Sequence, residues 1–403
     1  MQKKIIALAI ASAFVAPVAM AESSFYGSMD GGVRMNTYDD GVNPSTTTFS
    51  MKMGQFNTSR WGFKGVDDIG NGVKANVVVE TSFVPAGVGA NPDLNPTYYV
   101  ANGNNGYSLV TAGGEPSLAQ NNPFGLIFDR QATVGLESST MGRFDMGWNY
   151  TASYDVIGTY DPMGYKFINT ALAYTASDRA RAGNVKYQID VAGMHIIAEY
   201  DINDAFGGNV QQGNRAAQMG TGRAIGVTYA AAGFNVGAAY TTTDGDLVMG
   251  PMLSPNNKST HFTVGGGYDF GAGKVSVGYA KKSMKFENYG NDANQTDMWI
   301  GGSFNVSSKA ALSAAYYTRA YNDAMQQIGA VQAWTYAGMP GPMPAVAPGS
   351  ADLKQNVVML MGTYSLSKMS TLYVEYDSQD LKDGAMSAQV KASGFSAGLD
   401  VKF

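Results

Sequence analysis

The chain ends on SGFSAGLDVKF (residues 393–403), and the order of these residues decides the fold. Phe395, Ala397, Leu399, Val401 and Phe403 share one parity, while Ser396, Gly398, Asp400 and Lys402 share the other. Successive side chains of an extended strand point to opposite faces, so this segment has one oily face and one charged face. A soluble domain can hold one such strand, so the fold depends on how often the pattern recurs.

It recurs along the whole chain. In FYGSMDGGVRMN (25–36), Phe25, Gly27, Met29, Val33 and Met35 alternate with Tyr26, Ser28, Asp30, Arg34 and Asn36. VKANVVVET (73–81), GFNVGAAYT (233–241), KVSVGYA (274–280) and STLYVEYD (370–377) read the same way. Strict period two marks strands and not helices. The pattern predicts sixteen strands, over 23–36, 50–66, 72–84, 127–138, 142–149, 179–190, 193–201, 222–230, 233–242, 260–270, 273–282, 296–306, 309–321, 353–366, 369–379 and 389–403.

The connections alternate in length. Long ones fall at 37–49, 85–126, 150–178, 202–221, 243–259, 283–295, 322–352 and 380–388. Between them lie tight turns such as DDIGNG (67–72), SSTMG (138–142), DVAG (190–193), AAG (231–233) and FGAG (270–273). All long loops therefore gather at one end of the sheet and all tight turns at the other. That asymmetry predicts an all-β, 16-stranded antiparallel transmembrane β-barrel of the outer-membrane type, with short periplasmic turns and long external loops. Hydrocarbon offers no water to unpaired backbone groups, and a closed barrel has no unpaired edge. Soluble sandwiches and propellers also alternate, but their loops need not alternate in length, and their buried faces do not carry Arg, Lys, Asp and Glu at mid-strand. Sixteen strands predict an aqueous channel instead of a filled interior.

The start of the chain predicts export. Lys3 and Lys4 precede the apolar run IIALAIASAFVAPVAMA, which closes on Ala19-Met20-Ala21. This reads as a signal peptide over 1–21, cleaved to leave a single barrel domain over 22–403. Removing those two lysines leaves 25 Lys and Arg (27 − 2) against 32 Asp and Glu, a net charge of −7. An acidic balance argues against a nucleic-acid partner. Cysteine is absent, so disulfides and thiolate metal sites are excluded.

With this architecture in view, three stretches carry a resemblance. SRWGFKGVDDIGNGVKANVVVE (59–80), FDRQATVGLESSTMGRFDMGWNYTASYD (128–155) and YSLSKMSTLYVEYD (364–377) resemble strands of the trimeric general diffusion porins of Gram-negative outer membranes, β-proteobacterial type. Phe403 is similar to the terminal aromatic residue that serves those proteins as an assembly signal. The resemblance implies a homotrimer in the cell outer membrane, passing small hydrophilic solutes and ions passively, with no cofactor. It also implies that the third loop, about 150–178, folds into the barrel as a constriction, with acids facing wall arginines.

By motif, the wall arginines are Arg60, Arg130 and Arg181, the strand acid is Glu80, and Asp155 and Asp161 are the loop acids. Arg60 and Lys64 share the watery parity, where they would line the eyelet and attract anions. Arg181 shares parity with Val185, Tyr187 and Ile189, which points it toward lipid unless a bulge or a strand end intervenes. Ser28 and Trp148 stand where the family often has basic residues. The second loop (85–126) resembles a subunit latch, and GMPGPMPAVAPGS (338–350) an external lid. His195 and His261 both fall on the watery parity, and no nucleophile pattern accompanies either, so no enzyme is predicted. A substrate-specific porin, or a surface adhesin or structural barrel, is the alternative reading.

Overall fold

A computed structural model describes residues 22–39, 44–83, 97–102, 106–111, 128–167, 170–202, 221–249, 252–285, 293–321, 353–383 and 390–403. The expected signal segment 1–21, the Pro-rich stretch 338–350 and much of the second loop lie outside them. The chain begins with β1 (Glu22–Asp39), β2 (Thr46–Met53), β3 (Arg60–Gly70) and β4 (Val73–Ser82). A separate hairpin follows, β5 (Thr97–Asn102) with β6 (Gly106–Thr111). Next come β7 (Gln131–Ser138), β8 (Gly142–Tyr150), two short helices α1 (Ala152–Gly158) and α2 (Ala173–Ala176), β9 (Arg181–Val191) and β10 (Met194–Asp201). The rest is strand: β11 (Gly222–Ala231), β12 (Phe234–Met249), β13 (Met252–Asp269), β14 (Gly273–Lys285) and β15 (Ala293–Asn305). The last four are β16 (Ala310–Tyr321), β17 (Leu353–Ser365), β18 (Ser370–Asp383) and β19 (Val390–Lys402).

Apart from the β5–β6 hairpin, every strand pairs antiparallel with its neighbours, and β19 returns to β1, which closes the ring. β2 and β3 share one edge of β1: Gly31–Tyr38 pairs with β2 and Glu22–Ser28 with β3. They count as one interrupted strand, so the wall has sixteen, as the alternation predicts.

The interruption corrects the continuous strand expected over 50–66. Between the pairs Gly31↔Met53 and Ser28↔Arg60, two residues of β1 (Met29 and Asp30) face six on the other side (54–59). Asp30 holds this detour. Its carboxylate accepts from the backbone N–H of Phe56 at 2.7 Å and of Asn57 at 3.3 Å, and its carbonyl accepts from Gly54 N at 3.1 Å. Gly54 turns the chain at φ +72°, a conformation that suits glycine.

A second correction concerns 243–259, expected as a loop. The β12–β13 ladder runs on to Met249↔Met252, with a register shift between Gly245 and Leu247. The tight turns are as expected. Asn71-Gly72, Ala192-Gly193 and Ala232-Gly233 each place two consecutive residues at positive φ, as a two-residue type I′ hairpin demands.

The two faces separate by chemistry. Ile225, Val236, Ile300 and Leu312 are over half exposed on the outside, while Arg319, Tyr317 and Glu375 are buried inside. No helix among the described residues is long and apolar enough to cross a membrane. The mid-strand charges do not simply face water. Across the closing seam, Arg34 of β1 pairs with Asp377 at 2.6 Å and Glu375 at 3.1 Å on β18, and donates to Ser396 of β19 at 2.7 Å. Phe403 finishes the closure: its N–H donates to Gly27 O at 3.1 Å and its carbonyl accepts from Gly27 N at 2.9 Å. Its ring stacks on Phe25, 6.0 Å between centroids. A Cβ on residue 27 would sit 2.4 Å from that ring, so only glycine fits there.

Candidate functional site

Between β8 and β9 the chain does not stay outside. Residues 151–167 and 170–178 pack on the inward face of β10 to β18. Thr151 caps α1, accepting from Tyr154 N at 3.3 Å, and Glu199 of β10 accepts from Ala152 N at 2.5 Å. Val156 and Ile157 are fully buried, beside the wall residues Ile197 and Ala239. Burying such side chains contributes roughly 1.5–3 kcal/mol each.

Further along, Tyr160 stacks on Trp299 at 5.9 Å, and its hydroxyl meets that of Thr263 at 2.7 Å. Two glycines make this possible: a Cβ at Gly265 would lie 2.4 Å from the Tyr160 ring, and one at Gly278 would lie 2.2 Å from Trp299. On the return, Arg319 donates to Leu172 O at 3.2 Å, His261 Nε2 to Ala176 O at 2.7 Å and Lys282 to Asp178 O at 2.9 Å. His261 is therefore buried wall-to-loop mortar and not the solvated lumen residue its parity suggested. His195 sits near the Ala192-Gly193 turn, with Nδ1 2.8 Å from Asp190 Oδ1.

The detour 54–59 meets this segment from the other side. Phe56 lies parallel to Tyr373 at 4.7 Å and edge-on to Phe167 at 5.6 Å. Phe167 N donates to Phe56 O at 3.2 Å, and the Lys166 ammonium lies 4.9 Å from the Phe56 ring centre. Burial pulls the Lys166 ammonium down to about 8.

The charged cluster forms where β3, β4, β8 and β9 meet. Arg130 Nε donates to Glu80 Oε1 at 2.6 Å, and Arg60 Nε lies 3.6 Å from Glu80 Oε2. Arg60 also donates to Asn57 Oδ1 at 3.2 Å, which ties the cluster to the detour. Arg181 is the first residue of β9, and there it turns inward despite its parity, its guanidinium 4.6 Å from the Tyr150 ring centre. The strand-end explanation thus replaces the bulge. Tyr150 starts a stack: it lies 4.7 Å from Tyr154, which lies 4.4 Å from Tyr165, with Tyr174 edge-on to both of the latter.

Four of the expected site residues are therefore brought together: Arg60, Glu80, Arg130 and Arg181. Lys64 is exposed on β3 and no ion pair to it is found among the described residues. Asp155 is taken by Lys186 of β9, whose ammonium also donates to Tyr150 O at 3.1 Å. Asp161 faces no arginine among its bonding partners: it accepts from the Tyr317 hydroxyl at 2.7 Å and from Tyr165 N at 2.7 Å. Burial pushes the Asp161 carboxyl above the usual carboxylate range. Asp178 goes the other way. Burial opposes its ionisation, but Lys282, Arg179 and His261 outweigh this and hold it at about 2.

At the two departures, Ser28 bonds Asp400 and accepts from Asn57 at 3.0 Å, and Trp148 Nε1 donates to Asp129 O at 2.9 Å. Tyr150, Lys186 and the tyrosine stack were missed in the sequence. Tyr150 stands inside a quoted motif, but its partners are far away in the chain. No group of three or more His, Asp or Glu side chains gathers for a metal among the described residues.

A closed barrel with a watery inner parity and an inward segment is the architecture of a membrane channel. The family model of Gram-negative porins matches residues 7–384, and the chain belongs to that family. It is 28% identical to an outer membrane porin protein of Bordetella pertussis over 328 residues, 75% of this chain and 71% of that one. Its fold is similar to that of the anion-selective porin from Comamonas acidovorans: TM-score 0.63, 17% identity, covering 95% of this chain and 99% of that one. The trimer form of OmpT from Vibrio cholerae gives a TM-score of 0.55 at 16% identity, covering 95% and 99%. The protein is an outer-membrane channel for passive diffusion.

Proposed function

We propose that segment 151–178 is the constriction of this channel, and that small hydrophilic solutes pass it with a preference for anions. One observation carries the sign: among the described residues the three guanidinium groups of Arg60, Arg130 and Arg181 gather around the Glu80 carboxylate, a formal charge of +2 (3 − 1) for these four side chains. The loop acids do not offset it: Asp155 is paired with Lys186 and Asp178 with Lys282 and Arg179, while burial disfavours the charged form of Asp161. Fixed charge at a narrow, low-dielectric passage selects the opposite ion. The anion-selective porin of Comamonas supports the reading by its fold, and the trimeric form of OmpT supports assembly as a homotrimer. No covalent chemistry and no cofactor enter this function.

The test is the reversal potential of the purified protein in a planar bilayer under a KCl gradient. Arg60→Ala should enlarge the conductance slightly and move the potential toward cations; an unmoved potential overturns the role of Arg60. Conductance that saturates with one solute would make the channel substrate-specific, and none at all would leave the adhesin.

A further inference from the structure

We propose that the Tyr150 hydroxyl is a positioning group that sets the ion preference by holding two like-charged guanidinium groups on one oxygen. This rests on the constriction reading above and deepens it. A phenol has one hydrogen to donate and two lone pairs to accept with. At Tyr150 all three are used. Arg130 Nη2 donates to it at 2.9 Å, Arg181 Nη2 donates at 3.1 Å, and the hydroxyl itself donates to Glu80 Oε1 at 3.4 Å.

The ring is fixed as well. The Arg181 guanidinium lies over the ring, 4.6 Å from its centre, and the Tyr154 ring stacks on it at 4.7 Å and 14°. The backbone carbonyl of the same residue accepts from Lys186 at 3.1 Å. Two guanidinium groups repel each other, and a shared acceptor beside a carboxylate is what lets them converge. Without the oxygen, Arg130 keeps Glu80 at 2.6 Å, while Arg181 loses the group that joins it to the pair. The positive charge stays in the lumen but is no longer concentrated at one point of the passage.

Tyr150→Phe removes the oxygen and keeps the clamped ring. Reversal potentials in a KCl gradient should show the chloride-to-potassium permeability ratio falling by about twofold. Arg181→Ala should lower it further. In the double variant, Tyr150→Phe should add less to Arg181→Ala than it removes on its own, because the two changes share the Tyr150–Arg181 contact. Arg181→Lys, which keeps the charge but not the planar fork, should lower the ratio too, and it serves as the test should Tyr150→Phe fail to fold.

If Arg181→Ala lowers the ratio while Tyr150→Phe and Arg181→Lys leave it unchanged, the positioning role is overturned and the constriction reading stands. Full additivity in the double variant overturns the positioning role in the same way. If none of the arginine variants moves the potential, both readings fall together.

Discussion

Phe56→Ala should detach the inward segment from the wall detour without opening the barrel. Phe56 is 5% exposed and touches three partners: Tyr373 in parallel at 4.7 Å, Phe167 edge-on at 5.6 Å, and the Lys166 ammonium at 4.9 Å. Each aromatic pair contributes about 0.5–1.5 kcal/mol beyond burial. The cation over the ring adds about 0.5–1 kcal/mol, and burial of the ring about 1.5–3 kcal/mol. The lower part of that sum, about 3–7 kcal/mol in all, falls in the roughly 3–5 kcal/mol that truncating a buried Phe to Ala costs, and the latter range sets the expected effect. At about 1.4 kcal/mol per decade, the detached population should rise by two to four orders of magnitude. No strand pairing involves residue 56, so heat-modifiable gel migration should still report a folded barrel. Single-channel recordings should show larger openings with added flicker. Parent-like conductance and noise from a folded variant would refute the claim that this cluster joins lining to wall.

Other outcomes follow from the same geometry. Gly27→Val should drive the Phe403 ring off its seat, costing about 1–3 kcal/mol by overpacking and lowering the yield of folded barrel in detergent refolding. Asp178 has a folded carboxyl at about 2 against an ordinary 3.8, so its contribution is present above the ordinary value and lost as pH falls through about 2. That difference is worth about 2 kcal/mol, and Asp178→Asn should flatten the fall in melting temperature over this range. The Lys166 ammonium, at about 8, sheds its charge as pH rises through that value. Anion preference should weaken across that window in the parent and stay flat in Lys166→Met.

The wall was legible because a period-two pattern is local: each residue's neighbour two places along reports its face. Phe25, Met29 and Met35 could be assigned outward and Arg34 inward from their own stretch. Turns were legible for the same reason, through Asn71-Gly72 and the Ala-Gly pairs. The detour at 54–59 was not, because Asp30, which captures it, lies more than twenty residues upstream and looks like any inward acid. Arg60, Arg130 and Glu80 were reached through motif, and their meeting depends on β3 and β4 lying beside β7, a register no single segment states. Asp161 illustrates the limit. The motif makes it an acid of the passage, yet its carboxylate is held by Tyr317, more than 150 residues later. Charge alone does not reveal whether a loop carboxylate serves the passing solute or the fold.

The way β1 serves β2 and β3 along one edge has a consequence for change over time. The two registers are set separately, by Gly31–Tyr38 and by Glu22–Ser28. Residues inserted into or removed from the stretch between them would alter what protrudes into the passage while leaving the hoop intact. Calibre and chemistry can therefore drift, or be redesigned, at that one point without renegotiating the envelope.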